Sequence, residues 1–183
     1  ALAELLANEG AHVDLVAGPT QQHTNHPNIT VKRVVSAEEM FEACKEIFPT
    51  ADITILAAAV ADYRPLEVAV QKIKKKEGEL NIMLTKTTDI AASLGKLKQN
   101  GQLIVGFALE TEEEQANAQK KLESKNFDLI VLNSLNDSGA GFGHDTNKIT
   151  LISRNQQIKT FELKSKKEVA RDIVEAIIQK LHG

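Results

Sequence analysis

The chain has 183 residues, a formal net charge of −3 and a single cysteine, and its 42% apolar content includes only six Phe, one Tyr and no Trp. That length suits one globular domain with an aliphatic core, and the charge balance gives no overall attraction to nucleic acid or to an acidic membrane. One thiol cannot form an internal disulfide, so a reducing, cytoplasmic setting is expected, and no apolar run approaches the roughly 20 residues that span a bilayer.

Residues 1–9 (ALAELLANE) carry a helical pattern closed by Gly10, and 12–16 (HVDLV) reads as a strand. A helix followed by a strand is the second half of a βαβ unit, so a strand and its loop are expected upstream of Ala1. His23 and His26 in QQHTNHPN lack a third ligand nearby and read as loop residues rather than a metal site. A strand at 29–34 leads to a helix at 36–48, opened by a capping box of Ser36 and Glu39. Cys44 lies in that helix with no activating His or base beside it, and reads as a small buried hydrophobe.

The run 52–59 (DITILAAA) is almost wholly apolar, as a strand covered on both faces would be. Residues 66–86 break the rhythm with a charged hairpin turning at Glu77-Gly78, inserted before a helix at 87–99 that Asn100-Gly101 closes. A strand at 102–107 precedes a helix at 111–125, for which Thr111 and Glu114 suggest a second capping box. Strands follow at 128–132, 148–152 and 157–163, the last two as an antiparallel hairpin around SRNQ, and the chain closes on a helix at 166–181. Strands alternating with helices of this length predict an α/β fold of Rossmann-like, doubly wound type. Its sheet is mainly parallel, with helices on both faces and the hairpin at one edge.

In such a sheet ligands bind beyond the carboxyl ends of the parallel strands. Those tips carry Asp62, Arg64, Phe107, Glu110, Asn133 and Asn136. Lys72, Lys74, Lys75 and Lys76 crowd the hairpin. Composition alone favours a solvated face, whereas their position beside a central strand suits a flap closing over an anion. Lys121 and Lys125, at i and i+4, share one helical face; they suit either the anion or the negative helix end. The GAGFG run at 139–143 follows NDS and precedes a strand rather than a helix. It is therefore a turn and not a dinucleotide fingerprint, and His144 beside it has no supporting ligands.

Taken in order, AAAVADYRP, KIKK, KTTDIA, VGFALET and DLIVLNSLNDSGAGFGHDTNKITLI resemble the bacterial phosphopantothenate–cysteine ligase family (phosphopantothenoylcysteine synthetase) of coenzyme A biosynthesis, over essentially the whole chain. The resemblance implies a homodimeric ligase that uses CTP and Mg²⁺. The carboxylate of 4'-phosphopantothenate attacks the α-phosphate, pyrophosphate leaves, and the amine of L-cysteine then displaces CMP from the acyl-cytidylate. It further implies that Ala58, Ala59 and Asp62 lie at the nucleotide, that Lys72 is the catalytic lysine of the flap, and that Phe107 packs near the base. Lys121 and Lys125 would reach the nucleotide, with Asn133 a further candidate. The family's Asn-Pro-Asp-Ile-Val stretch falls on Thr87-Thr88-Asp89-Ile90-Ala91, where Thr-Thr replaces Asn-Pro; Thr88, Asp89, Ile90 and Ala91 are its nucleotide-binding positions. The family's first strand and glycine-rich phosphate loop are expected before residue 1, and a flavin-dependent decarboxylase is often fused there. A non-catalytic nucleotide- or flavin-binding module is the alternative, and the misplaced glycines disfavour a nicotinamide-dependent reductase.

Overall fold

The computed structural model describes residues 1–74, 79–134 and 145–182. Helix α1 (Leu2–Asn8) ends in a Schellman motif. The Gly10 amide donates to the Ala7 carbonyl and the Ala11 amide to Leu6, with Gly10 in the left-handed region at φ +94°. Strands β1 (Val13–Ala17) and β2 (Ile29–Arg33) pair in parallel. Helix α2 (Ala37–Ile47) begins with the expected capping box. Ser36 Oγ accepts from the Glu39 amide, and the Glu39 carboxylate accepts from the Ser36 amide. A 3₁₀ turn over Phe48–Thr50 leads to β3 (Ile53–Leu56).

Next come β4 (Tyr63–Pro65) and β5 (Leu84–Lys86), an antiparallel pair that forms the stem of the expected hairpin. Its turn at Glu77-Gly78 lies outside the described residues, as do Lys75, Lys76, Asn136, the glycine run 139–143 and His144. Helix α3 (Ile90–Leu97), β6 (Leu103–Glu110), α4 (Glu114–Ser124) and β7 (Leu129–Ser134) follow. The chain finishes with β8 (Thr146–Asn147), β9 (Ile149–Ser153), β10 (Ile158–Thr160), β11 (Lys164–Ser165) and α5 (Lys166–His182).

The main sheet has the order β10-β9-β7-β6-β3. Strands β3, β6 and β7 are parallel, and β9 and β10 form the antiparallel edge hairpin. Alternation along each strand sorts side chains onto two faces. Ile104, Ala108, Ile130 and Leu132 pack under α2, α3 and α4. Val105, Leu129, Val131 and Leu151 pack under α5, with Leu2 of α1 beside them. The fold is thus the expected layered α/β sandwich. The small β1–β2 sheet touches both α1 and α2, so it lies between the same two helix layers. Among the described residues β1 and β3 each have one unpaired edge, and β3, apolar but for Thr54, is only half-buried.

Three expectations need correction. The helix expected from residue 87 starts at Ile90, because β5 carries the strand to Lys86 and the Thr87 amide is tied to the Asp62 carbonyl at 2.8 Å. It ends at Leu97, and Gly101, at φ +89°, belongs to the turn into β6 instead of the helix cap. The helix expected from residue 111 starts at Glu114. Strand β6 runs on to Glu110, and the N-cap is Glu113, in the left-handed region without a side-chain cap, so no Thr111 capping box forms there. A capping box absent from the sequence reading does form at α5, where Glu168 N donates to Ser165 Oγ and Ser165 N to the Glu168 carboxylate.

Candidate active site at the carboxyl ends of the parallel strands

The central parallel strands β3 and β6 end in chemically different tips. After Leu56 the chain leaves the sheet, so Ala58, Ala59 and Asp62 lie exposed on the following loop instead of in a strand reaching residue 59. Short side chains there leave the backbone open to close approach. Strand β6 ends at Glu110, whose position on the even-numbered face turns it toward α4.

Helix α4 presents the two lysines expected to share a face, and each is held by a carboxylate from a different element. Lys121 Nζ stands 2.6 Å from Glu110 Oε1, and Lys125 Nζ stands 3.0 Å from Asp89 Oδ2. They are thus paired with loop and strand carboxylates. Asp89 also caps α3, its Oδ1 accepting from the Ala92 amide at 2.9 Å. Partial burial pushes the Asp89 carboxyl up, but the Ala92 amide and the Lys125 ammonium more than offset that, so its pKa lies below the ordinary aspartate value. Of its neighbours, Thr88 and Ala91 are half-buried and Ile90 is buried in the α-side core.

The close approach of α3 to the end of α4 depends on Gly95. A Cβ there would stand 2.1 Å from the Lys125 carbonyl oxygen, and the Asn126 side-chain amide donates to the Gly95 carbonyl at 2.8 Å. This packing carries Asp89, one helix length away, to Lys125.

Other expected site residues lie elsewhere. Phe107 is on the opposite face of β6, packed with the α5-side core. Asn133 occupies the matching face of β7, aligned with Leu109, and its Oδ1 accepts from Asn147 Nδ2 at 3.0 Å. The structure therefore gathers Glu110, Lys121, Lys125 and Asp89 on the α4 side, with Phe107 and Asn133 across the sheet. Beside α4, Ser134 Oγ donates to the Glu114 carboxylate. Their pairing is not visible in the sequence, where Glu114 reads only as a capping-box residue, because it depends on β7 ending beside the start of α4.

Lys72 sits exposed on the arm built from β4 and β5, and forms no ion pair among the described residues. The arm is more apolar than its lysines suggest. Nine of the fifteen large hydrophobics exposed among the described residues fall between Tyr63 and Leu84, with Val70 99% and Val68 84% exposed. Cys44 packs against the α-side core, where burial pushes its thiol up, in keeping with a structural role.

The sequence pattern of the DNA/pantothenate metabolism flavoprotein C-terminal domain matches residues 1–181. A cysteine/cysteine sulfinic acid decarboxylase from an unknown prokaryotic organism is 54% identical over all of this chain and 51% of its own length. The coenzyme A biosynthesis bifunctional protein CoaBC of Haemophilus influenzae is 43% identical over 98% of this chain and 44% of its own. Its Bacillus subtilis counterpart is 39% identical over 97% and 43%. The chain thus spans about half the length of these relatives. Among solved structures, the C-terminal domain of a CoaBC superposes with a TM-score of 0.81 at 37% identity, covering 99% of this chain and 80% of that one. On the full-length pattern match, the identities and the shared fold, the chain belongs to the DNA/pantothenate metabolism flavoprotein C-terminal domain family.

Proposed function

We propose that the chain is the ligase part of a coenzyme A biosynthesis protein, joining 4'-phosphopantothenate to L-cysteine with CTP and Mg²⁺. The observation that carries this reading is the likeness to the CoaBC C-terminal domain, combined with two ammonium groups at the carboxyl ends of the central strands. The substrate carboxylate attacks the α-phosphorus and the bond to pyrophosphate breaks. The cysteine amine then attacks the acyl carbon of the acyl-cytidylate, loses a proton and expels CMP. Such chemistry needs neutralised phosphates, an aligned nucleophile and a site free of water. Lys121 and Lys125 suit the first task, and Lys72 is placed on an arm able to bring a third cation to the transferring group. Ala58, Ala59, Asp62, Thr88, Asp89, Ile90, Ala91 and Phe107 line the nucleotide in this proposal, with Asn133 nearby.

Among the described residues no cluster of three or more His, Cys, Asp or Glu side chains is built to hold a metal. Mg²⁺ bound through nucleotide phosphates, with few protein ligands, fits that donor set. The unpaired edges of β1 and β3 support a further parallel strand between them, with its phosphate loop, supplied from outside this span. The apolar arm supports a homodimer, and a fused decarboxylase domain is consistent with a chain that covers half of its bifunctional relatives. No helix among the described residues is long and apolar enough to cross a membrane, and a cytoplasmic location suits the proposal.

The decarboxylase name of the 54% identical relative belongs to a protein about twice this length. The test is direct. Full-length protein with 4'-phosphopantothenate, L-cysteine, Mg²⁺ and CTP should release pyrophosphate and form the amide, whereas no release with CTP or ATP leaves a nucleotide-binding module as the better account. Lys72→Gln should keep CTP binding while product formation collapses; unchanged turnover would make Lys72 an ordinary solvated charge.

A further inference from the structure

We propose that Glu110 is a positioning residue that holds the Lys121 ammonium at the mouth of β6 for a polyphosphate ligand; this rests on the ligase reading of the same site. Glu110 ends the central strand, on the face turned to α4. Its side chain is only 14% exposed, whereas that of Lys121, 2.6 Å away, is 43% exposed. The two ends of the pair therefore differ: the carboxylate is embedded in the fold and the ammonium reaches solvent. Glu110 Oε1 is sealed from solvent and accepts no aligned hydrogen bond among the described residues. Its contact with Lys121 is thus a close ion pair at a carboxylate with no other partner among the described residues, and one carboxylate oxygen can engage only part of an ammonium's three donors.

An ammonium carries three donors. A largely buried carboxylate that pairs with one side of the ammonium holds it in place, with its remaining donors available to phosphate oxygens. Lys125, one helical turn further on, is also paired with a carboxylate, but there Asp89 is the more exposed partner and accepts a hydrogen bond from the ammonium. Two carboxylates from separate elements thus aim two cations at one strand end. A free lysine would spend conformational entropy to reach the ligand; one already held spends less.

The opposite consequence is equally definite. If Glu110 competed with phosphate for Lys121, removing its charge would tighten polyphosphate binding. The sign of one substitution separates the two. In the full-length protein, CTP and inorganic tripolyphosphate are titrated calorimetrically into wild type, Glu110→Gln, Lys121→Gln and the double variant. Positioning predicts that Glu110→Gln weakens both ligands about three- to tenfold, a modest loss because Lys121 is partly solvated. It also predicts that Glu110→Gln adds nothing in the Lys121→Gln background. In turnover, KM for CTP rises while kcat stays within about twofold. Tighter or unchanged binding by Glu110→Gln overturns the proposal, as does full additivity in the double variant, which a merely structural role would give. Where Glu110→Gln lowers the yield of folded protein, the same cycle is run with Glu110→Asp, whose shorter carboxylate should weaken binding in the same direction. Binding that shifts as predicted in a protein without ligase turnover would sink the ligase reading and leave the positioning role standing.

Discussion

Gly95→Ala sets two physical effects of opposite sign against each other. Gly95 lies within α3, where alanine is the better helix former by about 0.8–1.0 kcal/mol. On local propensity alone the substitution stabilises. The tertiary environment says otherwise, because the new Cβ would stand 2.1 Å from the Lys125 carbonyl oxygen and 2.8 Å from its carbon. Those atoms are backbone and cannot rotate aside, so α3 must retreat from the end of α4 by about 1 Å to restore van der Waals contact. Overpacking of this kind costs roughly 1–3 kcal/mol, and stretching the hydrogen bond from Asn126 Nδ2 to the Gly95 carbonyl costs about 1 kcal/mol more. Setting the propensity gain against these leaves a net loss of about 1–3 kcal/mol, or roughly 2–12 °C in Tm for a domain of this size. Urea and thermal denaturation followed by circular dichroism measure it. The same retreat withdraws Asp89 from Lys125, so weaker CTP binding should accompany the loss. An unchanged or raised Tm would show that the two elements yield freely and that the close approach does not constrain the site.

Two further substitutions test what holds the scaffold and what titrates at its edge. Asp128 accepts from Lys98 Nζ at 2.6 Å through both oxygens and from the Ile104 amide at 2.7 Å, with only 11% and 17% of the Lys98 and Asp128 side chains exposed. Asp128→Ala strands a buried ammonium and a buried amide and should cost about 3–5 kcal/mol, read as a lower urea midpoint; a loss below 1 kcal/mol would refute the buried-pair argument. The depressed Asp89 carboxyl gives a pH signature. Its stabilisation is complete above the unfolded value near 3.9 and is lost as pH falls through the lower folded value. Urea midpoints measured from pH 6 to pH 2.5 should fall less steeply at the acid end for Asp89→Asn than for wild type, and parallel curves would remove the Asp89–Lys125 pair from the account.

The layered fold was legible because its signals are periodic and local. The apolar runs at β6 and β7 sit under helices on both faces, and Ser36 with Glu39 capped α2 as read. Local signals failed where the chain had a non-local alternative. Thr111 and Glu114 have capping-box spacing, yet pairing with β7 carried β6 through Glu110 and left only a tight turn before α4. The run at 52–59 is apolar enough for a long buried strand, yet β3 stops at Leu56 and pairs on one side only among the described residues. The lysine pair of α4 could be placed on one face from its spacing. That its partners are Glu110 and Asp89 follows from where a strand ends and how closely a glycine lets two helices approach.

The division of site residues between two faces bears on what kind of ligand fits. Lys121 and Lys125 stand on the α4 side of the sheet, while Phe107 packs on the α5 side of the same strand. Side chains on opposite faces of a strand cannot meet through the sheet. One ligand can engage both only by crossing the carboxyl edge, where β6 stops and the chain turns away. A lone phosphate is too short for that span, and an apolar ligand would have no use for the paired lysines. A nucleotide laid across the edge presents an aromatic base to one face and charged phosphates to the other, which is how doubly wound sheets use their strand ends. On the function proposed above, the lysines alone would make an anion patch, and the strand that separates them from Phe107 would make the site selective for a nucleotide.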